Sequence, residues 1–503
     1  MFLRSSRRLV SPRRPLISPL CIRPTLTSRT VVVESHRHDV PKDLELSSTT
    51  SLLRSLAVYS ALSFPTFVDV SPKLLDASLQ IPIVDQVALS VVRATFFQQF
   101  VGGETVEETA TVIRQLRERN IASMVDYSVE VMEESAGGIE QSAKEAPYVR
   151  NIEEMKRSIP IVAGVENERG LDDPATRKTW IAIKLTALLP SATTLRKFSS
   201  LLVAKQSEPH APFTPDILYD SSISSYLEEG DISALKSLHS SLKEIGEFAV
   251  KHQVRICVDA EHTWYEPAID AFATDMMRTC NRESPITPVI YQTFQAYLRS
   301  TPHRLTSALA HAKSNGYTLG VKLVRGAYHP LEVAKHESDP TKSGPPPVWS
   351  EKNETDACYN QCANMLLDQL SDRTDGKPNS SPVGILFGTH NRNSCDVIID
   401  GIVKRGLASR VTDGVVTVPL DVSSRVQIGQ LFGMADELTN YVSSRLDCPN
   451  SPMVLKCVPY GTLEDVMPYL SRRAIENKSV LGNSNTTIER QRVARELRRR
   501  LFA

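Results

Sequence analysis

Much that would narrow the reading is missing from this chain of 503 residues. No apolar run reaches the roughly 18 residues of a membrane-spanning helix, so none is predicted. Eight cysteines are scattered and none forms a CxxC pair; Cys358 and Cys362 lie four apart with no partner knuckle. That spread predicts reduced, mostly buried thiols rather than a disulfide framework or a zinc site. Lysine plus arginine balance aspartate plus glutamate at 58 each, so no bulk attraction to nucleic acid is implied. No GxGxxG fingerprint follows an early strand, which argues against a doubly wound dinucleotide fold. No two histidines and a carboxylate lie close in sequence, so no metal is indicated.

Acids are absent from residues 1–33, which carry Arg4, Arg7, Arg8, Arg13, Arg14, Arg23 and Arg29 among many serines and threonines. Arg-rich, Ser-rich and acid-free is the composition of a mitochondrial transit peptide. The alternative is a disordered basic arm. A secretory core is ruled out because LVSPRRPLISPL is broken by proline and arginine. Residues 34–118 predict a helical region, with apolar residues at i, i+3, i+4 in LLRSLAVYSALS and in PIVDQVALSVVRATFFQQFVGG.

From residue 119 to 482 short β-branched runs alternate with helical stretches. The runs are 121–130, 180–188, 254–262, 286–294, 319–328, 383–391, 425–434 and 453–461. Such β-then-α units predict a distorted (β/α)8 TIM-type barrel. VVTVPLDV (415–422) competes for the seventh strand, but the later run leads directly into a helix. Residues 131–178, 207–230 and 329–352 read as inserts, the last a Pro/Gly-rich loop on the face where barrels carry their sites. Residues 483–503 form a basic amphipathic helix, either a solvated end or a contact with an anionic membrane surface.

The helix Thr462–Asn477, TLEDVMPYLSRRAIEN, organises the rest. Thr462 and Asp465 resemble a capping box. Leu463, Val466, Met467 and Leu470 make an apolar stripe, and Pro468 predicts a kink. Tyr469, Arg472, Arg473 and Glu476 fall near one face. Paired guanidinium forks suit a small carboxylate, although a solvated basic face would look the same in sequence. At the strand ends stand Glu130, Lys184, Thr186, Asp259, Glu261, Gln292, Lys322, Tyr328, Thr389, His390, Asn391 and Tyr460. Cations without a metal point to an anionic ligand or a phosphate-bearing cofactor.

KLVRGAY (322–328), THN (389–391), VDAE (258–261), GQLFGM (429–434) and PYLSRRAIEN (468–477) resemble the proline dehydrogenase family, in order over roughly residues 120–480. The resemblance implies a barrel holding FAD noncovalently, oxidation of L-proline to Δ1-pyrroline-5-carboxylate, and electron transfer to a membrane quinone. It implies a mitochondrial matrix protein, peripheral on the inner membrane. By resemblance Arg472 and Arg473 grip the substrate carboxylate with Lys184 as a third cation. Tyr469, Leu431 and Tyr328 wall the ring, and Asp259 belongs to the network behind Lys184. Lys322 is implied beside the flavin N5, with Val324, Gly326 and Ala327 lining the cofactor. Gln292, Lys352, Thr389, His390, Asn391 and Glu476 match further flavin contacts. Gly326, lacking a Cβ, would let backbone approach a flat ring. Cys457 departs from the pattern: proline-specific relatives usually carry tyrosine there, and relatives with a smaller residue tend to favour hydroxyproline. Proline is the expected substrate, hydroxyproline the alternative. A Schiff-base aldolase using Lys322 or Lys184 is a more distant one.

Overall fold

The computed structural model describes Leu44 and residues 47–63, 82–129, 146–171, 173–206, 208–282, 287–371, 373–374, 377–378, 383–411, 414–449, 451–479 and 485–502. The transit-peptide reading of residues 1–33 and the strand-end residue Glu130 lie outside them. The described residues all belong to one contact unit, Pro41–Ala503.

Eight parallel strands close into a barrel: β1 (Ala122–Tyr127), β2 (Thr179–Ile183), β3 (Arg255–Val258), β4 (Ile290–Gln295), β5 (Leu319–Val324), β6 (Val383–Gly388), β7 (Val426–Leu431) and β8 (Val454–Tyr460). Each pairs with the next in chain order, and β8 returns to β1 with Asp126 opposite Pro459. The helices that follow these strands are α1 (Pro147–Glu168), α2 (Glu229–His252), α3 (Glu266–Cys280), α4 (Thr301–Asn315), α5 (Lys352–Ser371), α6 (Arg392–Lys404), α7 (Asp436–Arg445) and α8 (Leu463–Ser479).

Strand side chains alternate with a period of two, which sorts the apolar residues into two cores. Ile290, Phe294, Val321, Leu323, Ile385 and Phe387 face the helices. Ala122, Met124, Trp180, Ala182, Cys257, Tyr291, Leu386 and Leu455 fill the barrel. The ring of Tyr291 fits because residue 320 is glycine: a Cβ there would fall on the Tyr291 ring and the Ile290 carbonyl. Arg255 lies 5.0 Å beneath Trp180 and donates to Gln427 Oε1 and the Ser424 carbonyl, closing the lower end. Truncating Trp180 to alanine would cost about 3–5 kcal/mol through the cavity it leaves.

The seventh strand is the later run; Val416–Thr417 instead pairs with Ser409–Arg410 and Leu446–Asp447 in a small separate sheet. Much of the supposed insert at 131–178 is α1, whose Ile152, Met155, Ile159 and Val162 are buried. Its stripe is hard to read because Pro160 sits inside the helix and acids flank it. The helix Val106–Glu118 buries Val106, Ala110 and Ile113 in the barrel's outer core, so the barrel unit begins before residue 119. In the 207–230 excursion, two 3-10 turns, Pro215–Tyr219 and Ser221–Ser225, precede α2. The 329–352 loop is built: it opens with the helix His329–Glu337, and Leu298 bridges Val348 while the Trp349 N–H donates to the Tyr297 carbonyl at 2.7 Å.

Two N-terminal segments brace α8. Val58 and Leu62 of the helix Thr49–Leu62, with Phe97 and Phe100, pack on Leu463, Val466, Tyr469 and Leu470. Tyr59 Oη and Gln99 Nε2 both donate to the carbonyl of Gly433, at 2.9 and 3.2 Å. Gly433 has φ +71°, and a Cβ there would collide with the Gln99 carbonyl. The last helix, Asn485–Phe502, packs along Thr49–Leu62, and Arg500 donates to the carbonyls of Leu44 and Ser47. Among the described residues no helix is long and apolar enough to cross a membrane.

Candidate active site

The carboxyl end of the barrel carries two ion pairs. Asp126, at the inward position two residues beyond Met124, accepts both contacts of Lys184 Nζ, at 2.8 and 3.0 Å. Both side chains are 9% exposed, so the pair is largely desolvated. Lys322 Nζ lies 2.6 Å from Asp259 Oδ1. Burial works against the Lys322 charge, but the Asp259 carboxylate outweighs it and raises the pKa, so the lysine stays protonated. Asp259 therefore belongs to Lys322, and the carboxylate behind Lys184 is Asp126. Cys457 stands among these charges, half-buried on the inner face of β8. Burial pushes its thiol up to about 12, so it is not a thiolate at neutral pH.

At the exit of β6, His390 Nε2 accepts the Leu431 N–H at 3.0 Å. Burial first, then the Lys456, Arg473 and Arg325 charges, lower the His390 pKa to about 3. The ring is thus neutral. With Nε2 accepting, the proton resides on Nδ1, which is left as a donor. Thr389 on one side is held by Arg325, which donates to Thr389 Oγ1 (2.6 Å), Asp356 Oδ1 (2.7 Å) and Ser394 Oγ (2.9 Å). Asn391 caps α6 by accepting the Ser394 N–H. Lys352 is exposed at the start of α5 and pairs with Asp356 at 2.6 Å.

α8 roofs this end. Thr462 Oγ1 accepts the Asp465 N–H and donates to the Asp465 carboxylate, a capping interaction of the expected kind. Arg473 is only 4% exposed, lies 4.8 Å over the Tyr469 ring and pairs with Glu476. Arg472 lies 5.6 Å over the ring of Tyr328, at the exit of β5. Arg472 therefore meets a strand exit, and Arg473 is shielded from bulk water. Tyr469 is buried, and its hydroxyl has no hydrogen-bond partner among the described residues. Leu431, half-buried, packs on the same cluster as Tyr469.

Several expected positions differ. Gln292 points outward and donates to Asp270 Oδ1 at 2.6 Å. In β4 Tyr291 pairs with the inward Cys257 and Thr293 with the inward Lys322, so Tyr291, Thr293 and Gln295 face inward, and Gln295 is the glutamine at the rim, donating to the Glu261 carbonyl at 2.9 Å. Tyr460 also faces outward, 5.2 Å from Tyr127. Glu261 is buried against the N–H and hydroxyl of Thr186. Gly326 has φ +124°, but the space a Cβ would need is taken by the Tyr297 ring, so a side-chain ring makes the close approach. Val324 is half-buried and Ala327 exposed. Asp126, Gln295 and Arg325 went unnoticed in the sequence reading. For the first two the available signal was strand parity, which puts them in line with Met124 and Thr293. Among the described residues no group of three or more His, Cys, Asp or Glu could hold a metal.

A family model described as proline dehydrogenase matches residues 109–486. A protein named proline dehydrogenase 1, mitochondrial, from Arabidopsis thaliana is 28% identical over 476 residues, covering 90% of this chain and 84% of its own. A hydroxyproline dehydrogenase from Xenopus laevis is 29% identical over 461 residues, covering 91% and 89%. The crystal structure of proline utilization A from Bdellovibrio bacteriovorus superposes over 92% of this chain with a TM-score of 0.61 at 17% identity. This chain spans 44% of that longer one, and the likeness bears on the fold alone.

Proposed function

Since the chain belongs to the proline dehydrogenase family, we propose that it oxidises L-proline to Δ1-pyrroline-5-carboxylate with FAD held at the strand exits. The observation that carries this reading is the pair of guanidinium groups on α8, one buried on Tyr469 and one over Tyr328, above a rim whose lysines are paired. Two charge-assisted contacts to a carboxylate would contribute about 1.5–3 kcal/mol each. Lys184 supplies a third positive group, while Tyr469, Tyr328 and Leu431 wall the ring.

The residues present suit a flavin. The His390 Nδ1–H is a fixed neutral donor, and Lys322 remains charged. Val324, Gln295, Thr389 and Asn391 line the same end, with Ala327, Lys352 and Glu476 at its edge. When bound, the isoalloxazine accepts a hydride from the carbon next to the imino nitrogen. The protein's own part is to orient the ring, neutralise its carboxylate and place a cation near the flavin. Asp259 keeps Lys322 charged for that role. The same raised Lys322 pKa argues against a Schiff-base aldolase, whose lysine must lose its proton to attack.

Cys457 leaves more room than a tyrosine would, so 4-hydroxyproline is the second substrate to weigh. Its support is that hydroxyproline dehydrogenases match as well as proline dehydrogenases do, at 29% and 28%. We place the protein in the mitochondrial matrix, passing electrons to a quinone. The support is the basic N-terminal composition and the names of its relatives. Contact with an anionic inner-membrane surface would use Asn485–Phe502, where Ile488, Arg495, Arg498, Leu501 and Phe502 are exposed. An absorbance spectrum of the purified holoenzyme tests the central reading. L-proline should bleach the flavin bands, with higher kcat/KM than 4-hydroxyproline; a colourless protein that cannot be reconstituted with FAD would sink it.

A further inference from the structure

One side of the mouth is held by a buried clasp that none of the family motifs includes. Glu332, in the first turn of the helix His329–Glu337, is 2% exposed. Its carboxylate accepts the Thr263 N–H at 2.8 Å and the Thr263 hydroxyl at 2.6 Å. Thr263 lies in the turn between β3 and α3, so the clasp ties that turn to the segment after β5. Next to it, His262 is sandwiched. Its ring stacks on Trp264 (4.3 Å, 5° between planes) and lies tilted against Tyr328 (4.2 Å, 41°). Tyr328 is the N-cap of the clasped helix, and the Arg472 guanidinium lies 5.6 Å from the centre of its ring.

A short exposed helix has little stability of its own, so tertiary contacts must fix where its first residue points. A buried carboxylate also costs heavily unless it is hydrogen-bonded, which makes the clasp specific to one seating of the helix. The geometry points to Thr263 and Glu332 as positioning residues for the substrate: acting through His262 and Tyr328, they set the place of the Arg472 guanidinium. The inference rests on the imino-acid reading given above. It predicts that losing the clasp weakens ground-state binding of the carboxylate and leaves the flavin seat intact, because Lys322, Thr389 and His390 stand on other elements.

The test uses the holoenzyme as Thr263→Val and Glu332→Gln, with Thr263→Ser as the conservative control. KM for L-proline should rise about tenfold, kcat should change by less than about twofold, and Thr263→Ser should restore KM. Flavin content should match the parent. Trypsin should cut faster after Lys335 in both variants and at the parental rate in Thr263→Ser. Parental KM in both variants, or a rise in KM only in step with lost flavin, overturns the inference. If neither proline nor 4-hydroxyproline bleaches the parent enzyme, the imino-acid reading has failed instead. The trypsin rate then judges the clasp alone, and equal cleavage of parent and variants overturns it.

Discussion

Replacing Arg473 by methionine is the sharpest probe of the roof. Methionine keeps much of the volume and adapts to the gap over Tyr469, so lost packing is small. What disappears is a guanidinium 4% exposed, stacked on one ring and paired with Glu476. The Glu476 side chain is 28% exposed and can turn to water, so its orphaning adds little to the cost. The loss is then one charge-assisted contact to substrate, about 1.5–3 kcal/mol, which corresponds to an increase in KM of about 10- to 150-fold. Steady-state rates over a range of L-proline, with the flavin-to-protein absorbance ratio measured on each preparation, give the answer. A parental KM would mean the guanidinium does not meet the carboxylate. Loss of flavin with unchanged KM in the remaining holoenzyme would mean it serves the cofactor instead.

Four more outcomes are expected. Lys322→Met leaves the Asp259 carboxylate without its cation and should slow flavin reduction by about 10²–10³-fold in stopped flow; an unchanged rate would remove Lys322 from the chemistry. Asp126→Asn removes the negative partner that Lys184 meets in a desolvated rim, and denaturant titration should show a loss of stability. Cys457→Tyr should shift the ratio of kcat/KM for proline over 4-hydroxyproline toward proline by about 10- to 200-fold, and no shift would show that residue 457 does not meet the ring. His390 titrates near 3 when folded against 6.5 when free, so the unfolded chain binds the extra proton between those values. Its contribution to stability is therefore present above pH 6.5 and is lost as pH falls toward 3. Melting temperatures of His390→Gln should fall less than the parent's between pH 6.5 and 5.

The barrel was readable because alternation within each strand and the stretch after it both obey local rules. Ile385 and Phe387 on one face and Leu386 on the other already say which way a strand faces. What is not local was harder. The pairing of Lys322 with Asp259 crosses from β5 to β3 over an intervening strand, and no spacing in the chain records it. Gln292 is hard to place from sequence because one residue of phase inverts a strand, and the phase of β4 is set by its register with β3 and β5. α1 looked like an insert because Pro160 and the flanking acids hide a stripe that only the barrel wall reveals. The charge state of His390 depends on burial and on three cations from β5, β8 and α8. The arginine pair was legible as a motif, whereas its direction depends on Tyr328 and Tyr469 being where the fold puts them.

The packing of the N-terminal segments on α8, and their two bonds to the carbonyl of Gly433 between β7 and α7, have a practical consequence. The ceiling over the reaction chamber leans on chain that precedes the cylinder by dozens of residues. An excised fragment beginning at residue 119 would keep every strand and every rim charge, yet its arginine-bearing lid would lose the apolar support of Val58, Leu62, Phe97 and Phe100.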